Sequence, residues 1–286
     1  MTNPSRTIAL VRPPGKRRRT RRGRQAPAGL VFALVTEALL SGAAFIFLTR
    51  TGWVWLGRLT GLPSKLGELS PFARRVEVER LTFPHDEDGD GISDLDDIVA
   101  GARAYVETRP RYADGYYAGG YPPEGVGVCT DVIWKALRAA GFDLKAALDA
   151  DIKAHPGDYP RVGGHPDPNI DFRRVPNLAV FFRKYGQVLT EKVVPGDPEN
   201  LKEWQGGDIV IFGPNLDHIG IVSDRRRKDG VPLLIHNAGP WGTEDDSLTR
   251  WPTGIHYHIR FPKLPAAGGA RRDCLWTGTF SRASTG

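Results

Sequence analysis

The sequence predicts an α+β domain in which a helical first part packs on a small antiparallel sheet. Two patterns predict it. After Cys129, apolar residues fall at 132, 133, 136, 137 and 140, the spacing of one helix face. Later, Ile209–Phe212, His218–Val222 and Leu233–Asn237 are short apolar runs divided by turn residues, as in adjacent antiparallel strands. The chain has 286 residues, 40% hydrophobic and 25% charged, which is an ordinary globular composition. That length allows one good-sized domain with extensions. Its two cysteines lie far apart, which excludes a disulfide framework and a cysteine-rich zinc module.

The net charge of +6 averages two unlike parts. Residues 1–28 carry nine basic side chains and no acidic one, leaving 30 basic and 33 acidic, a net of −3, for the rest. A domain of that balance is not expected to bind nucleic acid, whose phosphates call for a basic face. Residues 29–50 hold the apolar run Gly29–Leu48, interrupted by Thr36, Glu37 and Ser41. About 20 helical residues span a bilayer core, so this run is expected to be a transmembrane signal anchor. The preceding cations form a cytoplasmic tail and place the rest outside the membrane; Trp53 and Trp55 suit the interface. Glu37 at mid-bilayer costs of order 2–3 kcal/mol. A cleaved signal peptide is the rival reading, although the apolar run is long and no clean small-x-small site precedes Trp53.

Residues 51–80 read as a juxtamembrane linker broken by Gly57, Gly61, Pro63, Gly67 and Pro71. Within 81–97, Asp86, Asp88, Asp90, Ile92, Asp94 and Asp97 fall at positions 1, 3, 5, 7, 9 and 12 of a D-x-D-x-D-G loop. Side-chain oxygens at five of these positions and the Ile92 carbonyl would supply the six or more ligands that calcium takes. Gly91 permits the sharp turn at position 6, and Ile92 is expected to anchor the loop to the core. The run resembles the calcium loops of dockerins and EF-hands, with Asp97 in place of the usual Glu. A structural calcium ion is the expectation; an acidic turn with Asp94 capping the following helix, about 94–108, is the alternative.

Residues 98–264 form the expected catalytic domain. Glycines before Cys129 forbid helix, so the thiol heads the helix that follows. Free N–H groups and the macrodipole there favour a thiolate, while Asp131 opposes it. Neighbouring antiparallel strands can bring His218 and His236 together on one sheet face. A thiol, a histidine base and a polar group orienting that base are the set a cysteine hydrolase needs. Lone cysteines and histidines are more often structural, and only the combination lifts these above that reading.

The order helix-leading Cys, G-D-I-V-I-F, H-I-G-I-V, I-H resembles the NlpC-type papain-like cysteine peptidases, which cleave cell-wall peptides. The runs G-V-C-T-D-V (127–132), P-N-I-D-F-R-R-V-P-N-L (168–178), G-D-I-V (207–210), D-H-I-G-I-V-S-D (217–224) and I-H-N-A-G (235–239) resemble, more closely, the bacterial family called domain of unknown function 1287. The resemblance covers roughly 98–262. It implies a papain-like fold, with Cys129 as nucleophile, His218 as base and His236 as orienter. It needs no cofactor for catalysis and implies a peptide substrate from the cell wall.

Around that core, the Cys129 backbone N–H is the expected oxyanion donor, with Tyr121 as a second and Asn237 as a substitute orienter. Arg173 and Arg174 are candidates for gripping a substrate carboxylate, or for pairing with Asp171 instead. His256 and His258 alternate on an expected strand and read as a solvated edge. Cys274 falls in a loosely held tail, 265–286. A non-catalytic envelope module with a papain-like shell is one competing function. A metal hydrolase using Asp217, His218 and His236 is another, although no H-E-x-x-H run supports it.

Overall fold

The computed structural model describes residues 75–264. The basic tail, the 29–50 segment, most of the 51–80 linker and the 265–286 tail lie outside the described residues. No described helix is long and apolar enough to cross a membrane. The described part is α+β. In chain order it runs α1 (Asp94–Glu107), β1 (Arg111–Tyr112), β2 (Val126–Gly127), α2 (Cys129–Ala139), α3 (Leu144–Ala154), α4 (Val175–Tyr185), β3 (Gln187–Val188), α5 (Pro198–Leu201), β4 (Ile209–Phe212), β5 (His218–Arg226), β6 (Pro232–Asn237), β7 (Gly242–Asp245) and β8 (Ile255–Arg260). Strands β3-β8-β4-β5-β6-β7 form one sheet, antiparallel throughout. Short β1 and β2 pair in parallel beside it.

Strand alternation divides the apolar residues between two clusters. Ile209, Ile211, Ile219, Ile221, Ile235 and Ile259 face the helices and meet Ile98 of α1, Val132, Ile133 and Leu137 of α2, and Leu178 and Phe182 of α4. Val210, Phe212, Val222 and Leu234 face the other way, onto Leu201, Trp204 and Leu248. The central sheet is therefore covered on both faces. That is why β4 reads as an unbroken apolar run, I-V-I-F, and not as an alternation. Each such side chain, fully buried, contributes about 1.5–3 kcal/mol.

Helix α2 has clear local causes. Val128 is extended (φ −126°), and the Asp131 carboxylate, at the third helical position, accepts its N–H at 2.7 Å. The helix stops at Gly141 (φ +82°), where Phe142 N–H returns to the Leu137 carbonyl at 2.9 Å. Helix α4 begins at Val175, and Pro176 occupies its first turn, where its missing N–H is not needed. Strand β5 runs on to Arg226, past the expected Val222. Residues 75–80 are attached to the domain, since Val76 N–H bonds the Lys228 carbonyl and the Gln205 amide bonds the Glu79 carbonyl. Strand β8 lies between β3 and β4, so the expected solvated edge is wrong for His258, which is fully buried.

Candidate active site

Cys129 opens α2 and its side chain is buried in the helix-side cluster. The backbone N–H groups of Ile219, Thr130 and Cys129 itself face the sulfur. Ile219 follows His218, so the thiol meets the sheet where β5 starts. Burial pushes the thiol up to about 12, and the Asp131 charge adds to this, outweighing the three N–H groups. The expected thiolate at the helix N-terminus is therefore overruled in this state. Loss of water is a larger effect than the helix end.

His218 and His236 come together on the opposite sheet face, and neither is hydrogen-bonded to Cys129, so the expected set of three is not closed here. Nε2 of His218 lies 2.9 Å from Nδ1 of His236. Register explains the approach: β5 and β6 pair Ile221 with Ile235, which sets the two histidines diagonally on one face. Trp251 stacks on the His218 ring at 3.9 Å between centroids, and Phe212 closes in at 5.8 Å. Burial, together with the neighbouring His236, lowers His218 to about 3, so it is neutral at physiological pH. Nε2 of His236 in turn lies 3.4 Å from Oδ1 of Asp245, the last residue of β7.

Other residues singled out from the sequence fall elsewhere. Tyr121 is not beside Cys129. Its ring lies 4.8 Å from Trp134 and 5.3 Å from Phe172, more than a turn along α2. Tyr112 is the tyrosine near the sulfur: burial raises its hydroxyl, and a thiolate at Cys129 would raise it further. Arg173 is not available to a substrate, because it is buried and forks Asp131 at 2.9 and 3.0 Å while bonding the Gly115 carbonyl. Arg174 pairs with Asp171 at 3.1 Å. Asn237 points to the helix side, where its amide bonds the carbonyls of Pro110 and Gly127 and ties β6 to the strand that leads into Cys129. Asp217 takes a bond from Thr253, and among the described residues the metal-type cluster is elsewhere, so Asp217, His218 and His236 do not converge.

Three residues escaped the sequence reading. Asp245 sits in the polar run Glu244–Asp245–Asp246, and only strand register selects it. Trp251 comes from a loop with no periodicity. Tyr112 was one of five tyrosines between 105 and 121, and the β1–β2 pairing distinguishes it.

In the acidic loop, carboxylate oxygens of Asp86, Asp88 and Asp90 lie within 4.8 Å of one another. Gly91 adopts φ +95°, as the loop pattern requires. Asp94 is turned inward instead, onto His85 and the Glu87 N–H. Ile92 is 48% exposed, so it does not anchor the loop. The fixed point is the buried Asp94 at the start of α1.

An α+β domain with a helix-borne cysteine and a histidine pair on its sheet is the class that this fold and site define. The family described as "Domain of unknown function (DUF1287)" matches residues 99–261, and the chain belongs to it. The uncharacterized protein YijF of Escherichia coli K12 is 38% identical over 168 residues, covering 56% of this chain and 79% of YijF. A solved N-acetylmuramoyl-L-alanine amidase from Bacteroides uniformis shares 13% identity over 58% of this chain and 97% of its own, with a TM-score of 0.32, too distant to define a common fold.

Proposed function

We propose that the protein is a thiol amidase or peptidase with a papain-like, NlpC-type arrangement, acting outside the cytoplasmic membrane on cell-wall stem peptides and anchored by residues 29–50. One observation carries the reading. A cysteine at a helix start faces the strand residue next to His218, and His218 is bonded to His236. Cys129 Sγ attacks the amide carbonyl carbon while its proton passes to His218 through a water at the start of β5, because the two side chains do not meet directly. Because both groups rest neutral, transfer accompanies attack and does not precede it. The N–H groups at the head of α2 support the oxyanion. His218 then protonates the leaving amine, and the resulting thioester is hydrolysed by water that His218 deprotonates. What supports a cell-wall substrate is the resemblance of the motif order to that of NlpC-type peptidases.

The test is turnover of purified muropeptides by the full-length protein and its Cys129→Ala variant. Cleavage by the parent alone is expected; equal turnover by both sinks the nucleophile. A second reading, a non-catalytic envelope module, is favoured by one observation: His218 is engaged with His236 and Trp251 while the thiol stays protonated. Binding to peptidoglycan with no cleavage of any muropeptide would support it.

We also propose that the 86–97 loop takes a structural calcium ion. Support comes from the converging carboxylates of Asp86, Asp88 and Asp90 and from the turn at Gly91.

A further inference from the structure

We infer that Asp245 is a positioning residue that sets the proton arrangement of both imidazoles and thereby leaves His218 Nδ1 as the basic atom. The inference rests on the reading of His218 as the base. An ionised carboxylate can only accept hydrogen bonds. Asp245 is kept ionised: burial disfavours its charge, but bonds from His236 and from the Ser247 hydroxyl and N–H outweigh that. His236 must therefore carry its proton on Nε2, the nitrogen that faces Asp245. In a neutral ring its Nδ1 is then a bare lone pair. That lone pair faces Nε2 of His218 at 2.9 Å, so His218 Nε2 must be the donor. A neutral His218 with its proton on Nε2 presents Nδ1 unprotonated, the one ring atom free to accept a proton. The order Asp245, His236, His218 is thus a relay of orientation, with no proton transferred along it.

The geometry behind this comes from register. Strands β6 and β7 pair His236 with Thr243 and Leu234 with Asp245, which places Asp245 diagonal to His236 on the same face. Glu244 alternates to the other face, where it pairs with Arg103 and Arg225. No other residue of β7 can reach His236 Nε2 with an acceptor-only group.

The experiment uses the full-length chain labelled with ¹⁵N in histidine only, in mildly alkaline buffer. Two-bond ¹H–¹⁵N correlations report which ring nitrogen carries the proton. In the parent, His218 and His236 are expected in the Nε2–H form. In Asp245→Asn the carboxamide can donate to His236 Nε2, reversing both rings, so a population of His218 in the Nδ1–H form is expected. Turnover of muropeptides should then fall at least about tenfold in kcat with KM within about twofold, since a wrong tautomer harms the chemical step and not binding. Asp245→Glu, which keeps an acceptor-only group, should restore the parent tautomers. A His218 that stays Nε2–H in Asp245→Asn would overturn the inference. That spectrum is read without turnover. A parent whose cleavage does not depend on Cys129 would remove the hydrolytic reading while leaving the relay standing.

Discussion

Arg173 forks both carboxylate oxygens of Asp131, two residues into the helix that Cys129 begins. Its Nε and Nη2 lie 2.9 and 3.0 Å from Oδ1 and Oδ2. Trp134 Nε1 and Val128 N–H take up the remaining acceptor positions at 2.8 and 2.7 Å. A guanidinium that sequence reasoning offered to the substrate thus holds the Cys129 helix in place. It also joins that helix to the loop before α4, where the Thr130 hydroxyl bonds the Arg173 carbonyl.

Removing one partner strands the other in the interior. Asp131→Ala should therefore lower stability by about 3–5 kcal/mol, read from urea unfolding. Arg173→Lys should also be costly, because an ammonium cannot fork two oxygens. A loss below about 1 kcal/mol for Asp131→Ala, the scale of a surface pair, would show that the cluster does not hold the helix.

Stability should fall toward both ends of the pH range. The folded His218 is near 3 against an ordinary 6.5, so between these values the unfolded chain binds a proton that the folded chain does not. Stability contributed by this group is full above 6.5 and is lost as pH falls toward 3. Cys129 is near 12 against an ordinary 9.0, so above 9.0 the unfolded chain releases a proton that the folded chain retains. Its contribution is lost as pH rises from 9.0 toward 12. Chemical denaturation across pH should show the acid limb flattened in His218→Gln and the alkaline limb flattened in Cys129→Ala. Unchanged limbs would mean that other groups govern both.

Trp251 covers His218, so Trp251→Ala should admit water to the imidazole. The His218 titration, followed by NMR, should then move up from about 3 toward 6.5. A midpoint that stays put would assign the shift to the sheet and His236 instead.

Gly127 has no room for a side chain. A Cβ there would lie 2.2 Å from the Tyr105 hydroxyl and 3.1 Å from Asp131 Oδ2. Gly127→Ala should destabilise by about 1–3 kcal/mol, the usual range for overpacking. Tyr105→Phe in the same chain should recover part of that loss, because it removes the atom in the way. Additive losses in the double variant would place the strain elsewhere.

Calcium at ~1 mM should raise the melting temperature if the acidic loop binds with the affinity of extracellular sites. Asp86→Ala and Asp90→Ala should abolish the shift. An unchanged melt in millimolar calcium removes the proposal.

Much of this was legible along the chain. Cys129 at a helix start follows from glycines before it and a 3.6-residue apolar period after it. The histidine pair follows from two strands and a turn, because short antiparallel strands leave few registers. These are local properties, and local sequence carries them. What sequence could not tell is which donor meets which acceptor across long separations. Arg173 and Asp131 are 42 residues apart, and their pairing depends on how a loop folds over α2. Tyr112 and Tyr121 are alike in sequence, and only the β1–β2 pairing puts the former near the sulfur.

Charge state was the clearest decision left to tertiary structure. A helix N-terminus alone argues for a thiolate, and an isolated histidine argues for a group that titrates near neutrality. Burial reverses the first and lowers the second, because removing water disfavours a charge more than a helix end or a lone neighbour favours it. The sequence by itself marked the helix that Cys129 opens, the short apolar strands after it and the residues proposed to carry chemistry. Packing alone decided their protonation, their partners and the place of Asp245 behind the histidines, because these depend on solvent exclusion and strand register.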